Sequence, residues 1–260
     1  MKKTLIAIIC ILLSGKVLLA QQTARFITSG TIEFQKRVNT FQVINQAIGT
    51  KGDPLLVAAL DQYKKSQPQF ALFNSTLTFN NNKTLLTPIL PETPYNSFQL
   101  NPMTAPSNTV YTDLTAGTII MQKDAMGDQF LIKDNVRKIK WKLTDETRDI
   151  LGYTCRRANG IVSDSIYVVA FYTDKIRVSS GPELFNGLPG MILQLAIPHE
   201  NVSWVATKVI DSAPTTPIVA PTKGKAMTTK ELLTLLEKSL SSYRGRGINI
   251  DYYIKILGLL

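Results

Sequence analysis

The sequence predicts a mainly β domain of the α+β class: a curved antiparallel sheet or half-barrel with a C-terminal helix packed against it. Apolar and polar residues alternate along many short segments, which is the spacing of half-buried strands. Turn-forming residues, such as those at positions 80–82, separate neighbouring segments. Few stretches have helical spacing. Successive short strands joined by tight turns imply an antiparallel sheet.

The clearest strand is predicted at residues 138–143. Ile139, Trp141 and Leu143 point to one face there and three lysines point to the other, as in a strand with one buried face. Residues 166–172 are apolar without a break, which predicts a central strand covered on both faces. In chain order, strands are predicted at residues 29–38, 70–79, 109–122, 129–132, 138–143, 166–172, 191–197 and 202–209.

Two helices are predicted from their capping residues. Asp53 stands before Pro54, an arrangement typical of a helix start. Thr228 and Glu231 have the spacing of a capping box, in which each residue satisfies a free backbone N–H of the other. The C-terminal helical segment is therefore placed at about residues 228–244.

Residues 1–20 have the layout of a secretory signal. Two lysines at the start precede an apolar run at residues 4–13, and Ala20 ends a stretch that is typical of a cleavage site. The run is shorter than the roughly 20 residues that a membrane-spanning helix needs, so no transmembrane segment is expected after cleavage. The mature protein is predicted to be one domain, residues 21–260, in the periplasm, at the outer membrane or in the medium.

The chain carries a formal net charge of +10, and three of its lysines lie in the predicted signal. A basic exported protein can associate with an acidic envelope surface, although the charge also serves solubility. Nucleic acid is not expected as a partner, because no basic motif with interleaved aromatic residues is present.

The sequence offers no recognisable set of catalytic residues. His199 is the only histidine, which excludes a metal site built from several histidines, and no cofactor is expected. Cys155 is the only cysteine of residues 21–260, so no internal disulfide can form. Cys155 is expected to be a small buried apolar residue, and the alternatives are a disulfide with another chain and a reactive thiol beside His199.

Acidic residues are the last candidates for chemistry. A glycosidase needs two carboxylates across a cleft. Asp145, Glu146, Asp164 and Asp174 are present, but one sequence gives no way to pair them. Solvated surface positions are the default expectation for all four.

The hexapeptide at residues 187–192 predicts a turn before a buried strand. Pro189 suits the second position of a type II turn and Gly190 suits the third, where φ is positive. Gly187 permits close backbone approach, while Leu188 and residues 191–192 can enter the core. The motif is therefore expected to define the fold, and the binding residues are left open.

The hexapeptide and its flanks resemble the GLPGLI family of exported bacterial proteins. The resemblance runs from about residue 29 to residue 209. It implies a cell-envelope protein of unassigned function and transfers no active site. The residues that carry it are Trp141, Gly152, Tyr153, Cys155, Gly181, Pro182, Gly187, Leu188, Pro189, Gly190, Met191 and Ile192.

Three functions follow as hypotheses. The first is a non-enzymatic binding or carrier module for an apolar ligand or peptide, with residues 141–172 as one wall and residues 87–106 as a gating loop. The second is a carboxylate-based hydrolase of cell-wall or glycan material. The third is an interaction subunit of an outer-membrane assembly, with another envelope protein as its partner.

Overall fold

A computed structural model describes residues 26–48, 53–90, 108–163, 165–245 and 247–259. The predicted signal, residues 1–20, and most of the proline-rich loop at residues 87–106 lie outside them. The described strands are β1 Ser29–Asn39, β2 Phe70–Asn80, β3 Lys83–Ile89, β4 Thr109–Asp113, β5 Thr118–Ala125, β6 Asp128–Asn135, β7 Lys140–Ile150, β8 Tyr153–Val162, β9 Ile166–Thr173, β10 Met191–Ile197, β11 Val202–Ile210 and β12 Lys225–Met227. The described α-helices are α1 Thr40–Ile48, α2 Pro54–Ser66, α3 Thr229–Leu240 and α4 Ile250–Leu259.

All twelve described strands belong to one sheet, in the order β12-β6-β5-β4-β3-β2-β1-β11-β10-β9-β8-β7. β12 pairs with β6 in parallel, and the other described pairs are antiparallel. The α+β prediction is confirmed in its general form. The strand order is that of an open sheet with two edges, so it does not define the half-barrel that the sequence suggested.

Apolar side chains from the whole sheet form one core. Across four neighbouring strands, Leu195 of β10 pairs with Trp204 of β11, Trp204 pairs with Lys36 of β1, and Lys36 pairs with Phe73 of β2. Trp204 is 1% exposed. The segment between β9 and β10, residues 174–190, adds its own buried side chains to this core. We call it the crossover segment.

The clearest predicted strand differs from expectation. β7 is an edge strand, its pairing with β8 shifts register between Leu143 and Thr147, and Leu143 is 40% exposed. Ile139 and Trp141 are only partly buried. The prediction of a buried Ile139–Trp141–Leu143 face is therefore wrong for Leu143. Exposed lysines on β7 suit an edge, because charges there oppose pairing with another chain.

The helices begin where the capping residues predict. Asp53 Oδ1 accepts a hydrogen bond of 2.8 Å from Leu55 N, and Thr228 with Glu231 forms the capping box. α3 ends at Leu240, earlier than residue 244, and a short 3₁₀ turn follows. α1 and α4 were not predicted. In the described part of the chain, no helix is both long and apolar enough to cross a membrane.

Candidate functional site

A cavity of about 690 Å³ lies where α1, the 3₁₀ turn Pro198–Glu200 and α4 meet. Its volume is within the range of small-molecule sites. We call it the polar cavity, because its lining side chains are polar or charged. They are Asn45, Gln46, His199, Glu200, Asn249, Tyr252 and Lys255.

Hydrogen bonds between the three elements hold the polar cavity together. Gln46 Nε2 on α1 donates to the His199 carbonyl at 2.8 Å. Asn249 begins α4: its backbone N–H donates to Ala47 O at 2.7 Å, and its Oδ1 accepts from Tyr252 N at 3.1 Å. The lining side chains therefore project from positions that the backbone fixes.

Glu200 is the one acidic residue that lines the polar cavity. Its side chain is 4% exposed, and its Oε1 accepts a hydrogen bond of 2.6 Å from Lys255 Nζ. Its Oε2 is buried and has no hydrogen-bond partner among the described residues. A buried acceptor without a partner costs about 1–3 kcal/mol, so Oε2 gains from any ligand that can donate to it.

Tyr252 and Gln46 extend the same network. Tyr252 Oη donates to Gln46 Oε1 at 2.6 Å. Burial, then the negative charge of Glu200 and a side-chain interaction with Glu200, raise the pKa of Tyr252 well above its ordinary value, so the phenol keeps its proton. The cavity thus offers amides that both donate and accept, one carboxylate and one ammonium. Such a set can bind several hydroxyl groups of one ligand.

The predicted residues Cys155 and His199 lie in different parts of the molecule. Cys155 is fully buried on β8, and its Sγ donates to Tyr153 O at 3.4 Å. Burial raises the pKa of the thiol to about 12, so it is not a nucleophile at neutral pH. His199 is exposed at the polar cavity. The structure therefore does not form the Cys155–His199 dyad that the sequence left open.

None of the four predicted carboxylates lines the polar cavity. Asp145 pairs with Arg156 at 3.3 Å and Glu146 pairs with Arg157, all within the β7–β8 hairpin. Asp174 is exposed just after β9, and Asp164 lies outside the described residues. Across the ranges that the structure describes, no cluster of three or more His, Cys, Asp or Glu side chains could hold a metal.

Sequence reasoning missed the carboxylate that the structure puts in a cavity. Glu200 stands in a polar turn between two strands, where an exposed acidic side chain is the ordinary expectation. Its charge partner, Lys255, comes from α4, a helix that was not predicted. The one available signal was Asn249, a helix-capping residue type just before the apolar residues of α4.

The hexapeptide forms a tight turn of a different kind from the predicted type II turn. Gly190 N–H donates to Leu188 O at 2.8 Å, so the turn closes around Pro189 alone. Gly190 has φ +150°, and a Cβ there would lie 2.1 Å from Thr173 O. Leu188, Met191 and Ile192 are buried.

The other signature residues lie around the same turn or at the β7–β8 hairpin. Trp141 Nε1 donates to Asn186 O at 2.9 Å, beside Gly187. A Cβ on Gly181 would lie 2.7 Å from Cβ of Ile192, and Pro182 follows directly. Gly152, with φ +80°, turns the chain from β7 into Tyr153 of β8. None of them lines the polar cavity.

These features define a class: an α+β domain in which one open sheet carries a polar cavity built by helices. The family model described as "N-glycanase peptide, N-terminal domain" matches residues 62–235, more than half of the chain. The chain belongs to this family.

Two solved structures share similarity with the chain. "Structure of PNGF-II in P21 space group" is 18% identical, with a TM-score of 0.48, over 82% of this chain and 34% of that one. "Structure of PNGF-II in C2 space group" is 16% identical, with a TM-score of 0.49, over 81% of this chain and 33% of that one. The chain thus spans about a third of the length of these proteins. No curated protein matches significantly.

The family match corrects the assignment to the GLPGLI family, which is wrong. The signature residues that prompted it stand at turns and in the core. Gly190 is required there by a close backbone contact, and Leu188 and Ile192 by burial. Such residues report a local conformation that unrelated chains can share, so the motif was weak evidence of descent.

Proposed function

We propose that this chain is directed at glycans, and that its polar cavity binds sugar residues of N-glycosylated material. Membership of the N-glycanase N-terminal-domain family is the observation that carries the proposal. The proposed role of the chain is to hold the glycan for a hydrolytic reaction.

The chemistry of the polar cavity supports this proposal. Sugars present many neighbouring hydroxyl groups, each of which both donates and accepts hydrogen bonds. The amides of Asn45, Gln46 and Asn249 can do the same, and Glu200 Oε2 has an unused acceptor position. An apolar ligand would leave these groups without partners, so the carrier hypothesis has no support here.

A second candidate is hydrolysis of glycan material by this chain itself. The observation that favours it is the buried carboxylate of Glu200 beside the protonated amine of Lys255. A two-carboxylate mechanism needs a second acid across the cleft. Among the described lining residues Glu200 is alone, so any second acid would have to come from elsewhere.

Binding is tested with a glycopeptide that carries one N-linked oligosaccharide and with the same peptide lacking it. We expect the protein to bind only the glycopeptide. The E200Q variant should bind about tenfold more weakly, because it loses one charge-assisted hydrogen bond. The matched control is E146Q, which changes a glutamate on the β7–β8 hairpin and should leave binding unchanged. Equal binding of both peptides would contradict the proposal.

Hydrolysis is tested on the same glycopeptide by mass spectrometry of the released glycan. Release by the wild type that is lost in E200Q, but kept in E146Q, would support the second candidate. Binding without release would leave recognition as the role of this chain. Release that E200Q leaves intact would place the chemistry outside the polar cavity.

We also infer that the chain is exported as a single mature domain and that the signature residues around the hexapeptide serve the fold. Export rests on the signal layout of residues 1–20. Sequencing the N-terminus of the protein from the producing cells tests it. A mature protein should begin at Gln21, and an intact Met1 would contradict export by this route.

A further inference from the structure

A second cavity, of about 540 Å³, lies at the end of the sheet opposite the polar cavity. Two hairpin turns form one side of it, and the segment at residues 211–224, which joins β11 to β12, forms the other. We call this segment the connector and the cavity the asparagine cavity. The lining residues are Asn80, Asn81, Asn82, Lys83, Thr115, Pro214, Thr215, Thr216, Pro217 and Ile218.

The length of β1 separates the two cavities. Ser29, the first residue of β1, pairs with Asn80 at the asparagine cavity. Asn39, its last residue, leads directly into α1, which lines the polar cavity. A strand of eleven residues is about 33 Å long. The asparagine cavity is therefore a separate place on the molecule and not an extension of the polar cavity.

Hydrogen bonds fix the hairpin side of the asparagine cavity. The β2–β3 turn is joined to the β4–β5 turn, because Asn82 O accepts from Leu114 N at 2.8 Å and Asn82 Nδ2 donates to Thr115 Oγ1 at 3.0 Å. Asn81 has φ +51°, a conformation that asparagine tolerates better than most residues. Its Nδ2 donates to Asn80 Oδ1 at 3.1 Å. The three amides are therefore held in place by the fold itself.

The connector forms the opposite side because its length leaves it little freedom. It leads from β11 to β12, which lie seven strand-to-strand steps apart in the sheet. At about 4.8 Å a step the distance is roughly 34 Å, and an extended segment of this length in residues reaches about 43 Å. Pro214, Pro217 and Pro221 also fix φ along the connector. The connector therefore passes the hairpin turns as an extended segment.

Several polar groups of the asparagine cavity are open to a ligand. Among the described residues, no hydrogen bond joins a partner to Nδ2 of Asn80 or to Oδ1 of Asn81 and Asn82. The hydroxyls of Thr215 and Thr216, across the cavity, also have no partner in the described part of the chain. The cavity thus presents amide and hydroxyl groups that can donate and accept from two sides.

The rest of the lining suits an uncharged ligand with an apolar face. Lys83 is the one charged residue among the described lining residues, and its Nζ lies 3.9 Å from Asp113 Oδ2. Pro214, Pro217 and Ile218 place apolar surface beside the amides and hydroxyls. A sugar ring has the matching character, because its hydroxyl groups lie around the rim and its C–H groups form an apolar face.

We propose that the asparagine cavity is a second sugar-binding site, which makes the chain bivalent for glycans. The proposal rests on the proposed function in its class of ligand, and it adds a site that this function does not use. Sites about 33 Å apart cannot share one sugar unit, so each holds a different part of a glycan or a different glycan chain. Two linked sites raise the overall affinity for material that carries many glycans.

A nuclear magnetic resonance titration of the ¹⁵N-labelled protein tests the proposal. The probe is the free oligosaccharide released from the glycopeptide used for the polar cavity. We expect saturable shifts of the signals of residues 80–83, and a separate set of shifts at the polar cavity. N80A/T216V removes one amide and one hydroxyl at exposed positions of the asparagine cavity. It should weaken binding there about tenfold and leave binding at the polar cavity unchanged.

Matched variants separate the two sites. N74A/T76V changes the same residue types on β2, away from both cavities, and should keep both sets of shifts. E200Q should weaken binding at the polar cavity alone. Shifts confined to the polar cavity, or equal binding by N80A/T216V and the wild type at residues 80–83, would overturn this proposal and leave the proposed function standing.

Two further outcomes would also count against a second sugar site. If the oligosaccharide produces no saturable shift at either cavity, both the proposed function and this proposal are wrong. If the peptide that lacks the oligosaccharide shifts the signals of residues 80–83 as strongly as the glycopeptide does, the asparagine cavity binds peptide and the assignment to sugar is wrong.

Discussion

Two glutamates each have a buried carboxylate oxygen without a hydrogen-bond partner among the described residues, and their surroundings differ. Glu200 at the polar cavity has a lysine amine at 2.6 Å, so its charge is balanced by direct contact. Glu183 of the crossover segment has no described lysine amine within 4 Å, although its charge acts on the buried Lys36 and Lys123. We call these three side chains the ionic centre. A balanced cavity suits an uncharged ligand such as a sugar, whereas buried lysines without a contacting carboxylate make stability respond to pH.

The largest effect is expected where the crossover segment is anchored. In G190A, the new Cβ would meet Thr173 O at 2.1 Å in a backbone conformation that alanine rarely adopts. We expect a loss of about 4 kcal/mol in the free energy of unfolding, measured by urea denaturation. Glycopeptide binding at the polar cavity should persist below the unfolding transition.

The matched control for that variant is G117A. Gly117 also has positive φ, at +68°, but a Cβ there would meet nothing within 4 Å. Its cost should be about 1 kcal/mol, from backbone conformation alone. Equal losses in the two variants would show that close packing against Thr173 contributes nothing.

The second effect is the contribution of Lys123 to the pH dependence of stability. The pKa of Lys123 is lowered from 10.5 to about 8 by burial, so in this interval the unfolded chain binds more protons than the folded chain. Lys123 alone should therefore make stability rise with pH between about 8 and 10.5, by about 3 kcal/mol. Lys36, whose pKa is also lowered by burial, adds to this rise, whereas Cys155, whose pKa is raised to about 12, opposes it above about pH 9. Urea denaturation at several pH values measures the net dependence. K123M should lose the Lys123 contribution, and K133M, at an exposed lysine of β6, should keep it.

Alternating sequence patterns predicted most of the strands, because a strand side chain has only two possible faces. Residues 109–122, predicted as one strand, form β4 and β5 with a turn between them, and β3 and β12 were not predicted. The same alternation indicated the two buried lysines. Lys36 lies on the same strand face as Ile32 and Phe34, and Lys123 lies on the same face as Met121. A lysine at a position where the alternation predicts an apolar residue is therefore a usable signal of a buried charge.

The helices at the polar cavity were harder to predict from the sequence. β1 runs directly into α1 without glycine or proline between them. The change from strand spacing to helix spacing was therefore marked only by Asn39, a helix-capping residue type. Asn39 Oδ1 accepts a hydrogen bond from Gln42 N at 3.3 Å. Glu200 meets its charge partner Lys255 on α4, 55 positions away in the chain. That contact depends on tertiary packing, which local spacing does not contain.

The smallest effect tests whether the polar cavity is balanced. K255M removes the amine that contacts Glu200 and leaves the carboxylate buried without its charge partner. The side chain of Lys255 is 40% exposed, so water can compensate in part, and we expect a loss of about 2 kcal/mol in the free energy of unfolding. The double variant E200Q/K255M should recover about half of it, because the isolated charge is then gone. K208M, which breaks an exposed pair with Glu33 at 3.5 Å, should cost less than about 1 kcal/mol. If K255M costs no more than K208M, the Glu200–Lys255 contact does not balance the cavity, and the contrast with the ionic centre fails.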